Sequence, residues 1–521
     1  MIRSGLGRSS IYRSAGYYGL GSSTETPPLT YATHYNRYPS GTYTTAGTQL
    51  KGFSRYQVFI GSGDRASLAA VFHNKYLQTA GSPLSPGNAV TIESVALESA
   101  NVHMSNQSVP MTFSGGRSIV LANGDVNIKT DEVLPAAFGV SSFVQGDLFY
   151  IKIMWSVASA GHKIPVARRY NENNNLLMNG TVTFRSWTYD PAVTTPSSID
   201  SVNVWTSTPT VTGTAATPIT SQVGPCPIII GRLVSPSGKK VYTLTGDSLV
   251  DNMTSFLRWG CINSTQGVQA NCEASVSGGH QSDLTTLGSE FFGYANVLLD
   301  EMGINNSTDF TSFLTYWATA RASGIQKIVR TKLTPSTTVA SNTATAVTYV
   351  GSGGITDVTV VTGGTLPAVG TYVAVQGATP SQINGNSWSF PPQSQSRKLV
   401  LTSGAGQFTY QLTTNIGSGT ATGTITWSTA WSIEADQTYS DGGAAGNQGT
   451  FNNQVDTWLG NATVDYVLPM NSVKGVDPYK WGASNLGFPS DSWANSTTVG
   501  RHCLNSGYAE VVTVIDAVTV A

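Results

Sequence analysis

From about residue 41 to 228, apolar and polar positions alternate with a period of two. Phe149, Ile151, Ile153, Trp155 and Val157 occupy every second position, the period that buries one face of a strand and leaves the other outside. Val90 and Ile92 follow the same rule. Asn123-Gly124 separates IVLA from VNIK. Both residues tolerate positive φ, so the pair predicts a hairpin turn. Short strands at this spacing predict a β-sandwich or jelly roll over 41–228. Residues 1–40 are rich in Gly, Ser, Tyr and Arg with little periodicity, and read as an arm that orders only against a partner.

At about 229 the period changes. KKVYTLTGDS predicts a strand running into a helix. Phe310, Phe313, Leu314 and Trp317 recur at helical spacing over 308–323, with Ser307 or Thr308 as the cap. IQKIVRTKLTP predicts a buried strand that stops at a proline. QGTFNNQVDTWLG predicts a helix and VDYVLPM a further strand. Strands alternating with helices imply a parallel sheet covered on both faces. Residues 335–430 break the alternation. Their only charged residues are Asp357, Arg397 and Lys398, and TAVTYV, DVTVVT, TYVAVQG, RKLVLTS, FTYQLTT and GTITW read as consecutive strands. This stretch is expected to be an inserted β module. Removing it leaves 229–334 and 431–521, a sensible size for one α/β domain.

Composition narrows the function. Charged residues make up 11% of the chain and the net charge is −1, so there is no basic field of the kind that neutralises phosphates, and a nucleic-acid binder is not expected. No apolar run reaches the roughly 18 residues of a membrane span. MIRSGLGRSSIYRSAGYYGLGSS has no apolar signal-peptide core. Cys226, Cys261, Cys272 and Cys503 form no CxxC pair and no metal spacing, and are read as free thiols. No metal or cofactor is expected. Asp300-Glu301 could suggest a metal pair, but nothing with ligand spacing accompanies it.

Gly246-Asp247-Ser248-Leu249 follows a predicted strand directly. A serine there projects its hydroxyl at the carboxyl edge of a parallel sheet, where open α/β folds place their sites. By itself the Gly-Asp-Ser tripeptide reads first as a simple turn. Three further blocks accompany it in order: Gly278 in SVSGGHQSDL, with Gly279 as the alternative alignment; Gly303-Ile304-Asn305-Asn306 after ANVLLDEM; and Val499-Gly500-Arg501-His502 near the end. Together these resemble the SGNH (GDSL-type) hydrolase superfamily over the α/β part of the chain. The resemblance implies a three-layer α/β hydrolase with Ser248 as nucleophile and His502 as its base. It also implies an oxyanion hole made by the Ser248 and Gly278 backbone N–H groups and the Asn305 amide. Two positions depart from the family pattern. Asn306 stands where Asp is usual, and Val499 stands where the triad Asp belongs. Asp491 in GFPSDSWANS is one candidate for the third member, and a Ser-His dyad is the other reading. His280 beside the oxyanion glycine is read as a surface side chain, and Cys503 as a packing residue.

The insert, with PAVGTYVAVQGATPSQINGNSWSF, looks like small β modules of phage tail and fibre proteins, and the N-terminal region is similar to β-sandwiches that precede SGNH domains. The fold expected is therefore multidomain: an all-β sandwich or jelly roll, then an α/β hydrolase interrupted by a β module. The expected function is an esterase that removes O-acyl groups, acetyl above all, from bacterial surface polysaccharide as part of a phage tail. The expected partners are that glycan and, through the N-terminal region, other virion tail proteins, with the oligomeric state left open. An exported bacterial carbohydrate esterase and a non-catalytic fibre or adhesin on a decayed hydrolase are the alternatives.

Overall fold

The computed structural model describes residues 26–78, 82–105, 107–168, 185–206, 209–219, 222–246, 256–275, 281–303, 309–331, 337–338, 342–370, 372–384, 398–429, 447–468, 498–499 and 509–520. Within them the chain is β-rich and builds several sheets.

The alternating region forms two facing antiparallel layers. Lys51–Phe59, Leu148–Ser156 and Val90–Ser99 are neighbours in a seven-stranded sheet. Ile151, Ile153 and Trp155 from it share a core with Phe72 and Ile229 of the opposite layer and with Ile164 of a small three-stranded sheet. The outer face of the larger sheet carries buried charge: Glu98 pairs with Arg55 at 3.1 Å and with Lys152 at 2.7 Å.

The second layer is a four-stranded sheet in the order Leu29–Tyr31, Ile228–Arg232, Ala69–Phe72, Ile128–Lys129. Three consecutive isoleucines in its centre leave no polar face, so both faces must be covered. Ile229, Ala70 and Phe72 point into the sandwich core. Ile228, Ile230, Ala69 and Val71 point the other way, into a core shared with the helices of the α/β part. One apolar core thus crosses the expected boundary at 228/229. Gly231 sits where backbones nearly touch: a Cβ there would lie 2.2 Å from the Ser67 carbonyl oxygen.

The α/β part is a parallel sheet of six strands: β1 (Asn36–Arg37), β2 (Tyr242–Gly246), β3 (Asn271–Ser275), β4 (Val297–Asp300), β5 (Lys327–Thr331) and β6 (Tyr466–Leu468). Their spatial order is β1-β3-β2-β4-β5-β6, every neighbouring pair parallel. Its helices are α1 (Phe256–Ile262), α2 (Gln281–Leu284), α3 (Ser289–Phe292), α4 (Phe310–Ala322), α5 (Asn447–Gly460) and α6 (Ala509–Ala517). Tyr242, Leu244 and Leu299 pack under α1 and α6 through Leu257, Val511 and Ile515. Leu298 and Ile328 pack on the other face with Phe292, Trp317, Phe451 and Trp458. The alternation expected of a sheet buried on both sides is present.

Between β5 and α5 lies an eight-stranded antiparallel sheet built wholly from residues 342–429. It has its own core, including Val347, Val358, Val360, Phe408, Tyr410 and Trp427. Asn342 at its start pairs with Trp427 near its end, so the module leaves the chain and returns at one place.

Three expectations are corrected. Residues 26–40 are not a loose arm. Tyr31, Tyr35 and Tyr38 are buried, and the Asn36 side-chain amide donates to the carbonyls of Ile229 (3.3 Å) and Asn271 (3.1 Å) while its oxygen accepts from Ile229 N–H (2.7 Å). That side chain satisfies backbone groups of two sheets at once. Asn123-Gly124 is a turn, with Gly124 at φ +90°, but not a hairpin. Ile119–Leu121 before it pairs with Val90–Ile92, whereas Ile128–Lys129 after it pairs across with Val71–Phe72. The Asn74 amide caps the Leu121 and Ala122 carbonyls at this corner (3.2 and 2.9 Å). The cap of α4 is Asp309, which accepts from Ser312 N–H at 3.2 Å. Leu314 is exposed on that helix, and Tyr316 and Ala320 are buried beside Phe313 and Trp317.

The paired ends of the module carry a prediction. Replacing the stretch between Asn342 and Trp427 by a short Gly/Ser linker should leave the cooperative thermal transition of the rest in place, followed by circular dichroism. Loss of that transition would show that the module completes the α/β core.

Candidate functional site

In sequence order from β2, the next strand β3 is laid on one side of β2 and the following strand β4 on the other. The direction of winding therefore reverses at β2. In open α/β sheets ligands bind outside the carboxyl ends at such a reversal. The register aligns Gly246 with Ser275 and Thr245 with Asp300, so β2, β3 and β4 end at one level.

Two buried charge clusters flank this edge. On the β3 side, Glu273 is fully buried. It pairs with Arg258 of α1 at 2.7 Å and with Arg37 of β1 at 3.5 Å, and accepts from Ser275 Oγ at 2.5 Å. Arg37 also donates to the Ser275 carbonyl oxygen (3.3 Å) and hydroxyl (3.2 Å). Arg258 lies over the Tyr35 ring, 4.2 Å from its centroid. The last residue of β3 is thus held by a carboxylate and a guanidinium together. Burying such a pair is favourable only when geometry and further hydrogen bonds are good, and here both arginines converge on one acid.

On the β4 side, Asp300 is fully buried. Its oxygens accept from Thr245 Oγ1 (2.9 Å), Trp317 Nε1 (2.8 Å) and Met302 N–H (3.3 Å). Burial pushes its carboxyl above the usual range, against the Arg330 charge and these hydrogen bonds. Arg330 of β5 donates to the carbonyls of Asp300 and Met302 and lies over the rings of Phe451 (4.8 Å) and Phe313 (5.3 Å). Gly303 has φ +137°, and a Cβ there would meet Arg330 Nη2 at 3.0 Å, so the turn needs glycine.

Gln281 opens α2, fully buried, and neither of its amide atoms has a hydrogen-bond partner among the described residues. Cys226, Cys261 and Cys272 are buried. Burial raises the thiols of Cys261 and Cys272, which suits packing and not nucleophilic chemistry. Among the described residues no group of three His, Cys, Asp or Glu is placed to hold a metal, and no helix is long and apolar enough to cross a membrane.

Ser248, Gly278, Asn305, Asp491 and His502 lie outside the described residues, as do Gly279, His280, Asn306 and Cys503. What is described is where their segments depart. Ser248 stands two residues beyond the end of β2, Gly278 three beyond the end of β3 and Asn305 five beyond the end of β4. Val499 pairs in antiparallel fashion with Thr337, in the segment that follows β5. The sequence reading missed the two charge clusters. Its one available signal was an Asp closing the apolar run VLLD, which it weighed only as a metal ligand. No known protein-family model matches the chain, and no curated protein matches it.

The geometry makes stability depend on pH through His34. This residue is buried next to the β3 cluster, and Phe59 N–H donates to its Nδ1 at 3.1 Å. Burial, and secondly the Arg258 charge, lower its pKa from 6.5 to about 3. Below 6.5 the unfolded chain takes the proton first. The contribution of neutral His34 is therefore complete above that pH and is lost as pH falls toward 3, at up to about 1.4 kcal/mol per pH unit. Urea midpoints measured between pH 7 and 4 should show this slope, and His34→Gln should flatten it by about that amount.

Proposed function

We propose that the α/β part is a serine esterase of the SGNH type. The observation that carries this reading is the coincidence of blocks with strand ends. The segments holding Gly278, Ser248 and Asn305 leave the carboxyl ends of three adjacent strands, β3, β2 and β4, on the two sides of the winding reversal. Two to five residues of chain reach at most about 7–18 Å, and neighbouring strands are about 4.8 Å apart. Connectivity alone thus permits the three residues to converge.

In this reading His502 takes the Ser248 proton as Oγ attacks the ester carbonyl. The oxyanion is met by the N–H groups of Ser248 and Gly278 and by the Asn305 amide. The intermediate collapses to an acyl-serine, and the alcohol leaves with the proton from His502. Water, deprotonated by His502, then releases the acid and restores the serine. The substrate we infer is an O-acylated, principally O-acetylated, surface polysaccharide, and the setting a phage tail. A β-rich body with an autonomous β module supports this setting. The exported bacterial esterase differs only in location, and the adhesin reading differs in lacking turnover.

Ser248→Ala should lower hydrolysis of a chromogenic acetyl ester by at least ~10⁴-fold and leave the melting transition unchanged. Wild-type turnover in that variant removes the reading. The third member of the site is decided separately. With Val499 at the usual acid position, we favour a dyad, so Asp491→Asn should be nearly silent and Val499→Asp should raise kcat. A loss of ~10⁴-fold in Asp491→Asn would make Asp491 the orienting carboxylate.

A further inference from the structure

We propose that Asp300 is a positioning residue for this edge: its carboxylate ties the end of β2, the turn after β4 and helix α4 into one unit. The inference rests on the esterase reading for its catalytic meaning and on described residues alone for its geometry. Each donor to the carboxylate belongs to a different element. Thr245 is the penultimate residue of β2, Trp317 lies in α4, and Met302 N–H belongs to the turn itself. Arg330 from β5 takes the two carbonyls of the same turn. Gly303, at φ +137°, is closely flanked by Arg330, Phe451 and Phe313, 3.0–3.3 Å from where a Cβ would stand. Residues 300–303 are thereby determined from four elements.

Chain position gives the tie its consequence. Ser248 stands three residues beyond Thr245, and Asn305 three beyond Met302. The proposed nucleophile and one oxyanion donor therefore each follow, at the same short distance in sequence, an atom bonded to the same carboxylate. Catalysis by oriented groups is sensitive to small displacements between them, and a misplacement of about 1 Å costs about 10²-fold in rate. Stability alone does not account for the acid. A buried carboxylate is expensive to desolvate, and apolar replacements of buried ionic groups are often neutral or stabilising. A leucine or methionine would fill the site without that cost. Neither would join Thr245, Trp317 and the turn.

The test uses the full chain with Asp300→Asn, Thr245→Val and Trp317→Phe. The first keeps the shape and changes the acceptor set, and the other two each delete one donor. For each we would measure kcat and KM on a chromogenic acetyl ester, the melting temperature, and amide hydrogen exchange of peptides spanning 245–256 and 300–310. We expect kcat to fall about 10²-fold in Asp300→Asn and less in each donor variant. KM should stay within about twofold, since binding is not what the tie orients. Exchange should accelerate in both peptides together. If Asp300→Asn loses cooperative melting, the two donor variants decide. Unchanged kcat with unchanged exchange in folded variants overturns the proposal, as does a change confined to melting temperature. If the wild type shows no ester hydrolysis on any acylated substrate, the esterase reading falls by itself. The exchange readout then still decides the tie: faster exchange in both peptides supports it, and no change in either removes it.

Discussion

The structure depends on a sheet that has no outside. Ile228, Ile229 and Ile230 point alternately to two cores, and Tyr31, Ala69 and Val71 face one while Ala32, Ala70 and Phe72 face the other. A buried aliphatic or aromatic side chain contributes roughly 1.5–3 kcal/mol, and this sheet collects such terms on both sides. The sandwich and the α/β part therefore share a wall. Arg65 reinforces it from within: fully buried, it donates to the carbonyls of Tyr31 (2.8 Å) and Gly61 (2.9 Å). Gly61 in turn lies so close to Ala270 that a Cβ would sit 2.5 Å from its nitrogen. The site edge inherits this rigidity, because β1 and β3 are anchored to the wall through Asn36.

Much of this architecture is visible in the alternation of residue types. The strands at Phe149–Trp155, the run into Gly246, the helix around Phe313 and Trp317, and the charge-poor module follow from period and composition. What escaped has a common physical cause: it depends on partners far away in sequence. Asn123-Gly124 has hairpin chemistry, but its flanking strands are claimed by different sheets. Residues 29–38 lack a period because Tyr35 faces the sandwich core while Tyr31 and Tyr38 face the α/β core. The boundary at 228/229 reads as a change of grammar, yet the isoleucines before it serve both sides. The Asp300 and Glu273 clusters are assembled from elements up to 238 positions apart, as in Arg37 to Ser275, and no local pattern announces them. The proposed site residues are the reverse case. They were legible as short blocks, and the described strands supply the frame from which they depart.

The electrostatics of the edge follow from that frame. Water is excluded beneath the ends of β2, β3 and β4, so charges there act at short range in a medium of low dielectric. Two acids, Glu273 and Asp300, sit on either side of β2: Glu273 is paired by two guanidinium groups, and Asp300 lies in the field of Arg330, which donates to its backbone carbonyl. Such an arrangement fixes loops by directional bonds where apolar packing alone would leave them free to slide. It also explains how so weakly charged a chain concentrates part of its charge in the interior.

The anchoring of β1 has a kinetic side. Asn36 bonds to Asn271, 235 positions later. At synthesis rates of about 5–20 residues per second, roughly 10–50 s separate their appearance. Asn36 thus leaves the ribosome well before the strand Ile228–Arg232 and β3 that its side chain bonds to. Loop closure over such a span is slow to nucleate. Leu29–Tyr31 and β1 therefore cannot be paired before residues 228–275 have been made, and the edges that receive them stand open until they dock.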